Sequence, residues 1–376
     1  MDNFEGFELN QKKNKSITLK KQILFLLLVA VVSFSSSALA ITLLKQPETI
    51  VYQTPNNMML TSSNNEELNN VAQVAKIVES SVVEIKTEQT STSPWLQQYV
   101  TEGAGSGVIY STNGYILTNN HVIEGATSIT VKMHDGSTYP ATLIATDSKT
   151  DVALLKIEKN DCIPAILGNS ENLVVGEAAI AVGNPLGELG GTVTNGIISA
   201  LDREITIDGR TRNLLQTNAA INPGNSGGGL FNANGELIGL VVAKSSGSNI
   251  EGLGFAIPVN DVKVVAEELL EKGYVSGRPA MGIKLISISN TLQAQQYGVN
   301  QLGVYITEVL QGSAAEKAGL QKDDYLISIE GTIIDSYETL ASFIDKYKVG
   351  DTLTIEIKRN SEILQVQLTL QESKPQ

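Results

Sequence analysis

The sequence has few of the residues that form disulfides and metal centres. Among its 376 residues there are one cysteine, Cys162, and two histidines, His121 and His134. A single cysteine excludes an internal disulfide and a cysteine-based zinc site, and two histidines leave little room for a histidine-built metal centre. We therefore expect a protein that works without a metal or another cofactor.

Basic residues are also in the minority. Lys and Arg number 27 against 40 Asp and Glu, which gives a net charge of -13, and no Lys/Arg-rich run follows residue 45. Nucleic-acid binding needs a clustered basic face, so this class of partner is excluded. A hydrophobic fraction of 42% and a charged fraction of 18% are typical of a globular protein, and the length suffices for two domains.

One segment lacks charge altogether. Residues 23–44, ILFLLLVAVVSFSSSALAITLL, form an apolar run of 22 residues, long enough to cross a bilayer as a helix. Residues 1–22 carry five lysines against three acidic residues, which orients the N-terminus toward the cytoplasm. We expect a single-pass anchor in the cell membrane with the rest of the chain outside. The alternative is a signal peptide cut after Ala40, which gives a secreted or periplasmic protein.

The part of the chain after this segment begins with a linker and continues as a β region. Residues 45–66 are polar and turn-rich and are predicted to be the linker. From residue 67 a short amphipathic helix precedes a series of short apolar runs. These runs are separated by Asn-Gly or Asp-Gly pairs at 113–114, 135–136, 195–196, 208–209 and 234–235. Because such pairs favour tight hairpins, residues 81–258 are predicted to form an all-β barrel or sandwich.

Helical patterns follow the β region. The stretch VNDVKVVAEELLEKG predicts a helix with Asn260 as its N-cap and Gly273 as its stop, which completes a first domain at residues 67–273. Residues 274–372 combine short strands with two predicted helices, in SAAEKAG and SYETLASFIDKY. They predict a second, small α+β domain.

The segment INPGNSGGGL surrounds Ser226 with glycines. Its G-x-S-x-G pattern is shared by catalytic serines, although a glycine-rich turn with an uninvolved serine has the same composition. Both histidines precede Ser226, which excludes the Ser-acid-His order of α/β-hydrolases. The only aspartate before His121 is Asp2, which excludes the Asp-His-Ser order of subtilisins. The His-Asp-Ser order of the chymotrypsin-like double β-barrel remains.

Two further residues complete a candidate triad. His121 follows an apolar strand in GYILTNNHVI and is assigned as the base, whereas His134 lies in the turn sequence MHDGS. Asp151 begins the buried strand DVALLKI, where a carboxylate needs a partner that an imidazole N–H supplies. His121 would activate Ser226, and the N–H groups of Gly224 and Ser226 are predicted to form the oxyanion hole.

These features occur together in one known family. The segments GSGVI, GYILTNNHVI, DVALLKI, AVGNPLG, TVTNGIISA, INPGNSGGGL, GELIGL and GFAIP run in family order, so residues 70–265 resemble the trypsin-like domain of HtrA (Deg-type) serine proteases. The resemblance places the family's triad on His121, Asp151 and Ser226. It implies an exported endopeptidase that degrades unfolded or damaged proteins, a role in protein quality control under stress.

The C-terminal domain resembles a PDZ domain. The sequence AMGI at 280–283 matches the family's carboxylate-binding loop, and GVYITEVLQGSAAEKAGLQKDDYLISIEG matches the segment after it. The resemblance implies that the N–H groups of Met281, Gly282 and Ile283 hold the C-terminus of a peptide. The peptide would add as a strand beside the helix at 336–347.

The resemblance also bears on specificity and regulation. In trypsin-like enzymes the base of the specificity pocket lies six positions before the nucleophile, which here is Ala220. An alanine cannot pair with Lys or Arg, so we expect cleavage after small or medium apolar residues. The family pattern further implies a homotrimer and a relay from the PDZ domain to the active site through Arg203. Three features depart from that pattern: Asn218, Asp202 and the missing aromatic residue of AMGI.

A second hypothesis belongs to another functional class. A chaperone or binding protein could grip unfolded chains through its PDZ groove while its protease domain serves as an inactive scaffold. The intact candidate triad and the glycines beside Ser226 argue against it, because a scaffold has no need for them. The exported endopeptidase is therefore the leading hypothesis.

Overall fold

The computed structural model describes most of the chain after residue 69. The described residues are 70–92, 98–184, 191–207, 209–222, 224–242 and 253–374. All of them belong to one compact unit, residues 67–376. The predicted segments at 1–22, 23–44 and 45–66 lie outside the described residues. Within the described residues, no helix is long and apolar enough to cross a membrane.

Residues 82–157 form a closed barrel of six antiparallel strands. A helix, α1 (Asn70–Val78), precedes it. The strands are β1 (Val82–Thr92), β2 (Gln98–Ile109), β3 (Tyr115–Thr118), β4 (Ser128–Lys132), β5 (Thr138–Asp147) and β6 (Val152–Ile157). They pair in the order β1-β2-β3-β6-β5-β4, and a short helix, α2 (Asn120–Ile123), follows β3. The predicted hairpins at 113–114 and 135–136 join β2 to β3 and β4 to β5.

A second barrel follows. Its strands are β7 (Ile166–Leu167), β8 (Ala178–Gly183), β9 (Thr192–Ile207), β10 (Arg210–Thr217), β11 (Gly229–Phe231), β12 (Glu236–Val242) and β13 (Gly254–Pro258), followed by α3 (Val259–Lys272). The order β11-β8-β9-β10-β13-β12 is closed into a ring because β11 also pairs with β12, and β7 joins β12 in parallel. The double β-barrel that chain order predicts is confirmed.

Three apolar clusters hold the two barrels in place. Val83 and Ile85 of β1 belong to the interior of the first barrel, and Leu230 belongs to that of the second. A third cluster joins side chains of both barrels with α1 and α3, for example Val82 and Phe231. Because this shared core fixes the barrels against each other, loops from both can build one rigid site between them.

One predicted turn is wrong. The Asn-Gly pair at 195–196 was expected in a hairpin, but it lies inside β9. A Cβ on Gly196 would come within 2.5 Å of the backbone nitrogen of Ala219. The glycine therefore permits a close approach of two backbone segments. This is a reason for glycine inside a strand that does not involve a turn.

The predicted N-cap of α3 is also wrong. Asn260 was expected to cap the helix, but α3 begins at Val259 and Pro258 is its N-cap residue. The side-chain oxygen of Asn260 instead accepts a hydrogen bond from the Ser170 N–H at 3.2 Å. Gly273 ends the helix in the left-handed conformation, as predicted.

The C-terminal domain is an antiparallel sheet with three helices. The strands are β14 (Pro279–Ala280), β15 (Ile283–Ile288), β16 (Gly303–Val309), β17 (Tyr325–Ile329), β18 (Thr332–Ile333), β19 (Thr352–Arg359), β20 (Glu362–Thr369) and β21 (Gln371–Glu372). The helices are α4 (Thr291–Gln296), α5 (Ala314–Ala318) and α6 (Tyr337–Ile344). The main sheet has the order β15-β16-β17-β19-β20, which leaves β15 at an edge. Sequence analysis predicted α5 and α6 and missed α4.

Candidate active site

Ser226, His121 and Asp151 meet where the two barrels join. The Nε2 atom of His121 lies 2.8 Å from Ser226 Oγ, and its Nδ1 atom lies 2.8 Å from Asp151 Oδ2. Asp151 and Ser226 are buried, whereas the side chain of His121 is 19% exposed. The three residues that sequence analysis selected therefore form one continuous chain of hydrogen bonds, which is open to solvent at the imidazole.

The turn between β5 and β6 fixes Asp151. The residue has a φ of 65°, in the left-handed region that non-glycine residues rarely adopt. Its N–H donates to the Asp147 carbonyl at 2.9 Å, and its own carbonyl accepts from the side-chain amide of Asn119 at 3.0 Å. The backbone N–H of His121 donates to Asp151 Oδ1 at 3.0 Å. Both carboxylate oxygens are thus bonded to His121, which fixes the orientation of the ring.

The glycines around Ser226 hold a specific backbone conformation. Gly224 and Gly227 have φ angles of 101° and 79°, which favour glycine. A Cβ on Gly227 would collide with the Ser106 carbonyl and the Thr118 hydroxyl of the first barrel. The N–H of Gly227 also donates to the Val241 carbonyl at 2.9 Å. The loop is therefore packed tightly between both barrels.

The structure places Ala220 and Arg203 in different parts of the second barrel. Ala220 is exposed in the loop between β10 and Ser226, and its carbonyl accepts from Thr194 Oγ1 at 2.8 Å. Arg203 is exposed on β9, opposite Leu214 of β10. Ala220 is thus on the same connection as Ser226, whereas Arg203 belongs to the β9–β10 hairpin.

Other residues that the sequence singled out lie away from the triad. His134 is 44% exposed, and its Nε2 atom lies 3.6 Å from a carboxylate oxygen of Glu79. Cys162 packs in the core of the first barrel, where burial raises the pKa of its thiol. Within the described part of the chain, no group of three or more His, Cys, Asp or Glu side chains could hold a metal ion.

Met281, Gly282 and Ile283 lie at one end of a groove between β15 and α6. Gly282 has a φ of 76°, and Ile283 is the first residue of the edge strand β15. The carbonyls of Met281 and Gly282 accept hydrogen bonds from the N–H groups of Ala315 and Leu310, at 2.8 and 3.0 Å. A cavity of about 340 Å³ adjoins them, and its apolar lining includes Leu285, Leu340 and Ile344. An apolar groove beside an edge strand suits the addition of a peptide strand.

Basic residues connect this groove with the barrels. Arg278 donates to both carboxylate oxygens of Asp147, at 3.1 and 2.6 Å. Lys149 and Arg210 each place a side-chain nitrogen 3.8 Å from a carboxylate oxygen of Asp345, the residue after α6. Sequence analysis missed these contacts because no local pattern marks an ion pair between residues 131 positions apart.

The pair between Arg278 and Asp147 gives a testable stability effect. We expect Arg278→Ala to lower the free energy of unfolding by about 2 kcal/mol, because it leaves a buried carboxylate without its cation. The control Lys284→Ala removes a surface pair with Glu308 at 2.8 Å and is expected to cost less than about 1 kcal/mol. Urea unfolding followed by circular dichroism measures both. Equal effects of the two variants would contradict this prediction.

Known proteins match both domains. The family model of a trypsin-like peptidase domain matches residues 105–240, and that of a PDZ domain matches residues 279–370. The chain is 46% identical over 277 residues to the serine protease Do-like HtrA of Bacillus subtilis, a match that covers 69% of this chain and 62% of that protein. It is 42% identical over 331 residues to HtrB of the same organism, which covers 80% and 71% of the two chains. It is 41% identical to the periplasmic pH-dependent serine endoprotease DegQ of Escherichia coli, a match that covers 72% of this chain and 60% of that protein.

Solved structures resemble the same two-domain region. A variant of the HtrA-type protease AlgW with a decapeptide superimposes with a TM-score of 0.54 at 31% identity, covering 81% of this chain and 98% of that one. AlgW with a tripeptide gives a TM-score of 0.51 at 32% identity, with the same coverage. The chain belongs to the HtrA family of serine proteases, with a trypsin-like peptidase domain followed by one PDZ domain.

Proposed function

We propose that this chain is a serine endopeptidase in which Ser226 is the nucleophile, His121 the general base and Asp151 the residue that orients the base. The observation that carries the proposal is the continuous chain of hydrogen bonds, 2.8 Å from Ser226 to His121 and 2.8 Å from His121 to Asp151. A serine hydroxyl is a weak nucleophile unless a base contacts it directly. The names of the relatives, which are serine proteases, support the same reaction class.

The geometry accounts for each proton transfer in peptide hydrolysis. Ser226 Oγ attacks the scissile carbonyl while Nε2 of His121 takes the hydroxyl proton. The tetrahedral intermediate collapses with cleavage of the C–N bond, and His121 gives this proton to the departing amine. A water molecule then attacks the acyl-enzyme, loses a proton to His121 and releases the acid, and the proton returns to Ser226. Asp151 stabilises the imidazolium that forms in each half of the reaction.

The negative charge of the tetrahedral intermediate needs donors of its own. We assign these to the N–H groups of Gly224 and Ser226, on the loop that Gly227 packs against the first barrel. In comparable sites one such donor contributes about 3–4 kcal/mol to transition-state stabilisation. The positive φ of Gly224 supports this assignment, because it shows a backbone turn beside Ser226 that residues with a side chain rarely adopt.

The proposed substrates are unfolded or damaged proteins, cut after small or medium apolar residues. Ala220, exposed on the loop that leads to Ser226, offers no charge to bind a Lys or Arg side chain. Apolar residues are buried in folded proteins and become accessible on unfolding. Protein quality control is therefore the proposed role. The proposed location is outside the cytoplasm, because the relative DegQ is a periplasmic protein.

The proposed partners follow from the second domain and from the family. Met281, Gly282 and Ile283 would receive the C-termini of peptides in the groove beside α6. The similar AlgW structures, which contain a decapeptide or a tripeptide, support peptides as ligands. The homotrimer, the membrane anchor at residues 23–44 and the relay through Arg203 stay predictions.

Peptidyl phosphonates test the reaction and its specificity together. A phosphonate with valine at the cleavage position should attach covalently to Ser226, whereas the matched arginine compound should react at least about tenfold more slowly. Intact-mass spectrometry of the full-length chain measures the rate of labelling, and peptide mapping identifies the labelled residue. Preference for the arginine compound would contradict the role of Ala220. Absence of any label on Ser226 would favour the binding-protein hypothesis over the enzyme.

A further inference from the structure

Ser106 lies behind the nucleophile loop and contacts it through two donors. Its N–H donates to the Ser226 carbonyl at 2.8 Å, and its hydroxyl donates to the Gly224 carbonyl at 2.6 Å. The same hydroxyl accepts from the N–H of Asn184 at 2.8 Å, and the Ser106 carbonyl accepts from Thr118 Oγ1 at 2.7 Å. Ser106 is fully buried. This one residue therefore joins the nucleophile loop to strands of both barrels.

The two bonded carbonyls belong to the residues that supply the proposed oxyanion donors. Gly224 has a φ of 101° and, without a side chain, wide intrinsic freedom at ψ. The hydroxyl of Ser106 holds its carbonyl and thereby fixes the plane of the peptide that follows Gly224. The N–H of Gly224 belongs to the preceding peptide, so this bond acts on it through the Cα of Gly224. Loss of the bond lets Gly224 shift within the loop, and its N–H shifts relative to the N–H of Ser226.

A buried carboxylate lies beside Ser106. Glu84 of β1 is the direct partner of Ser106 in the β1–β2 ladder, so the two side chains share one face. Glu84 is 1% exposed, and neither of its carboxylate oxygens has a hydrogen-bond partner among the described residues. Lys86 Nζ lies 3.6 Å from Glu84 Oε1, and the Lys86 side chain is 57% exposed. A carboxylate in such a place is expensive unless something donates to it.

Two amide side chains near Ser106 also have buried polar atoms without a hydrogen-bond partner among the described residues. These atoms are Asn184 Oδ1 and Asn225 Nδ2. Asn184 contacts Ser106 through its N–H, and Asn225 Oδ1 and Ser106 Oγ both adjoin Gly183, where a Cβ would lie 2.6 and 3.0 Å from them. Ser106 is thus surrounded by buried polar side chains from both barrels.

We propose that Ser106 is a positioning residue for the oxyanion hole, and that the buried side chains of Glu84, Asn184 and Asn225 support it from both barrels. The inference rests on the proposed endopeptidase function. It assigns a role to a carboxylate that neither the triad nor the barrel core uses. Asn225 lies between the two oxyanion donors in sequence, so the support reaches the hole from both the Gly224 carbonyl and the Asn225 side chain.

Steady-state kinetics of Ser106→Ala in the full-length chain test the proposal. With a fluorogenic peptide that has valine at the cleavage position, we expect kcat to fall about 10- to 100-fold while KM changes less than about threefold. Affinity for the matching peptide boronate, which forms a tetrahedral adduct on Ser226, should fall in parallel with kcat. The control Ser328→Ala also removes a buried hydroxyl, one that donates to Glu356 at 3.1 Å in the PDZ domain, and should leave kcat and boronate affinity within twofold of wild type.

A second variant covers the case in which Ser106→Ala does not fold. Glu84→Gln keeps the shape of the side chain but replaces an acceptor with a donor, and we expect kcat to fall about 3- to 10-fold with KM unchanged. Wild-type kcat and boronate affinity in folded Ser106→Ala, or in Glu84→Gln where only that variant folds, would overturn the inference alone. Wild-type protein no more active than Ser226→Ala would overturn the proposed function and the inference with it.

Discussion

Replacing Ser226 with alanine is expected to lower kcat for peptide hydrolysis by about a millionfold, to the small residual rate that substrate binding and the oxyanion donors support without a nucleophile. The substitution removes the hydroxyl that lies 2.8 Å from Nε2 of His121. It leaves the bond of His121 to Asp151 and the backbone bonds of the nucleophile loop in place. The loss should therefore appear in kcat and in phosphonate labelling, with little change in thermal stability or in peptide binding to the PDZ groove.

Degradation of fluorescein-labelled casein by the full-length chain measures this loss. Ser328→Ala serves as the matched control, because its buried hydroxyl donates to Glu356 in the PDZ domain and should have no part in hydrolysis. Equal casein degradation by Ser226→Ala and wild type would end the assignment of Ser226 as the nucleophile. Binding of unfolded casein without degradation by wild type would instead favour the chaperone hypothesis.

The candidate triad could be predicted because its identification used chain order and local hydrophobicity, two properties that the sequence itself shows. Only two histidines exist, both precede Ser226, and only one hydrolase fold uses that order with an aspartate between them. Among those aspartates, Asp151 was selected because it begins a strongly apolar strand. In the structure the strand β6 is buried, and both carboxylate oxygens of Asp151 contact His121.

Other features depend on which segments pack together, and a local pattern cannot specify this. The Asn-Gly pair at 195–196 has the composition of a hairpin turn, yet Gly196 serves the close approach of Ala219. Asn260 fits the N-cap preference, but its side chain contacts Ser170, 90 residues away. The pair between Arg278 and Asp147 and the bonds of Ser106 to the nucleophile loop likewise join distant segments, so only the folded chain reveals them.

Replacing Asp151 with asparagine is expected to lower kcat by about ten-thousandfold, although the side chain keeps its size. The reason lies in the two hydrogen bonds that His121 makes with the carboxylate. Its backbone N–H donates to Oδ1 at 3.0 Å and can only donate, so asparagine must keep its carbonyl oxygen at that position. The amide NH₂ then occupies the position of Oδ2, 2.8 Å from Nδ1 of His121.

This exchange reverses the tautomer of the imidazole. An NH₂ group that faces Nδ1 requires an unprotonated nitrogen there, which moves the ring proton to Nε2. A protonated Nε2 faces Ser226 Oγ and cannot accept its proton, so the nucleophile is present but not activated. The prediction therefore combines a large loss of kcat with intact folding and with a changed nitrogen chemical shift for the His121 ring in ¹⁵N NMR.

Asp161→Asn is the matched control, because Asp161 also has a positive φ, 60°, and is exposed beyond the end of β6 opposite to Asp151. Asparagine tolerates this backbone region as well as aspartate does, so the control isolates any effect of the exchange on backbone strain. We expect it to keep wild-type kcat. If Asp151→Asn retained more than about a tenth of wild-type kcat, the base would not depend on the carboxylate. The hydrogen bond between Asp151 and His121 would then serve the stability of the turn between β5 and β6 rather than catalysis.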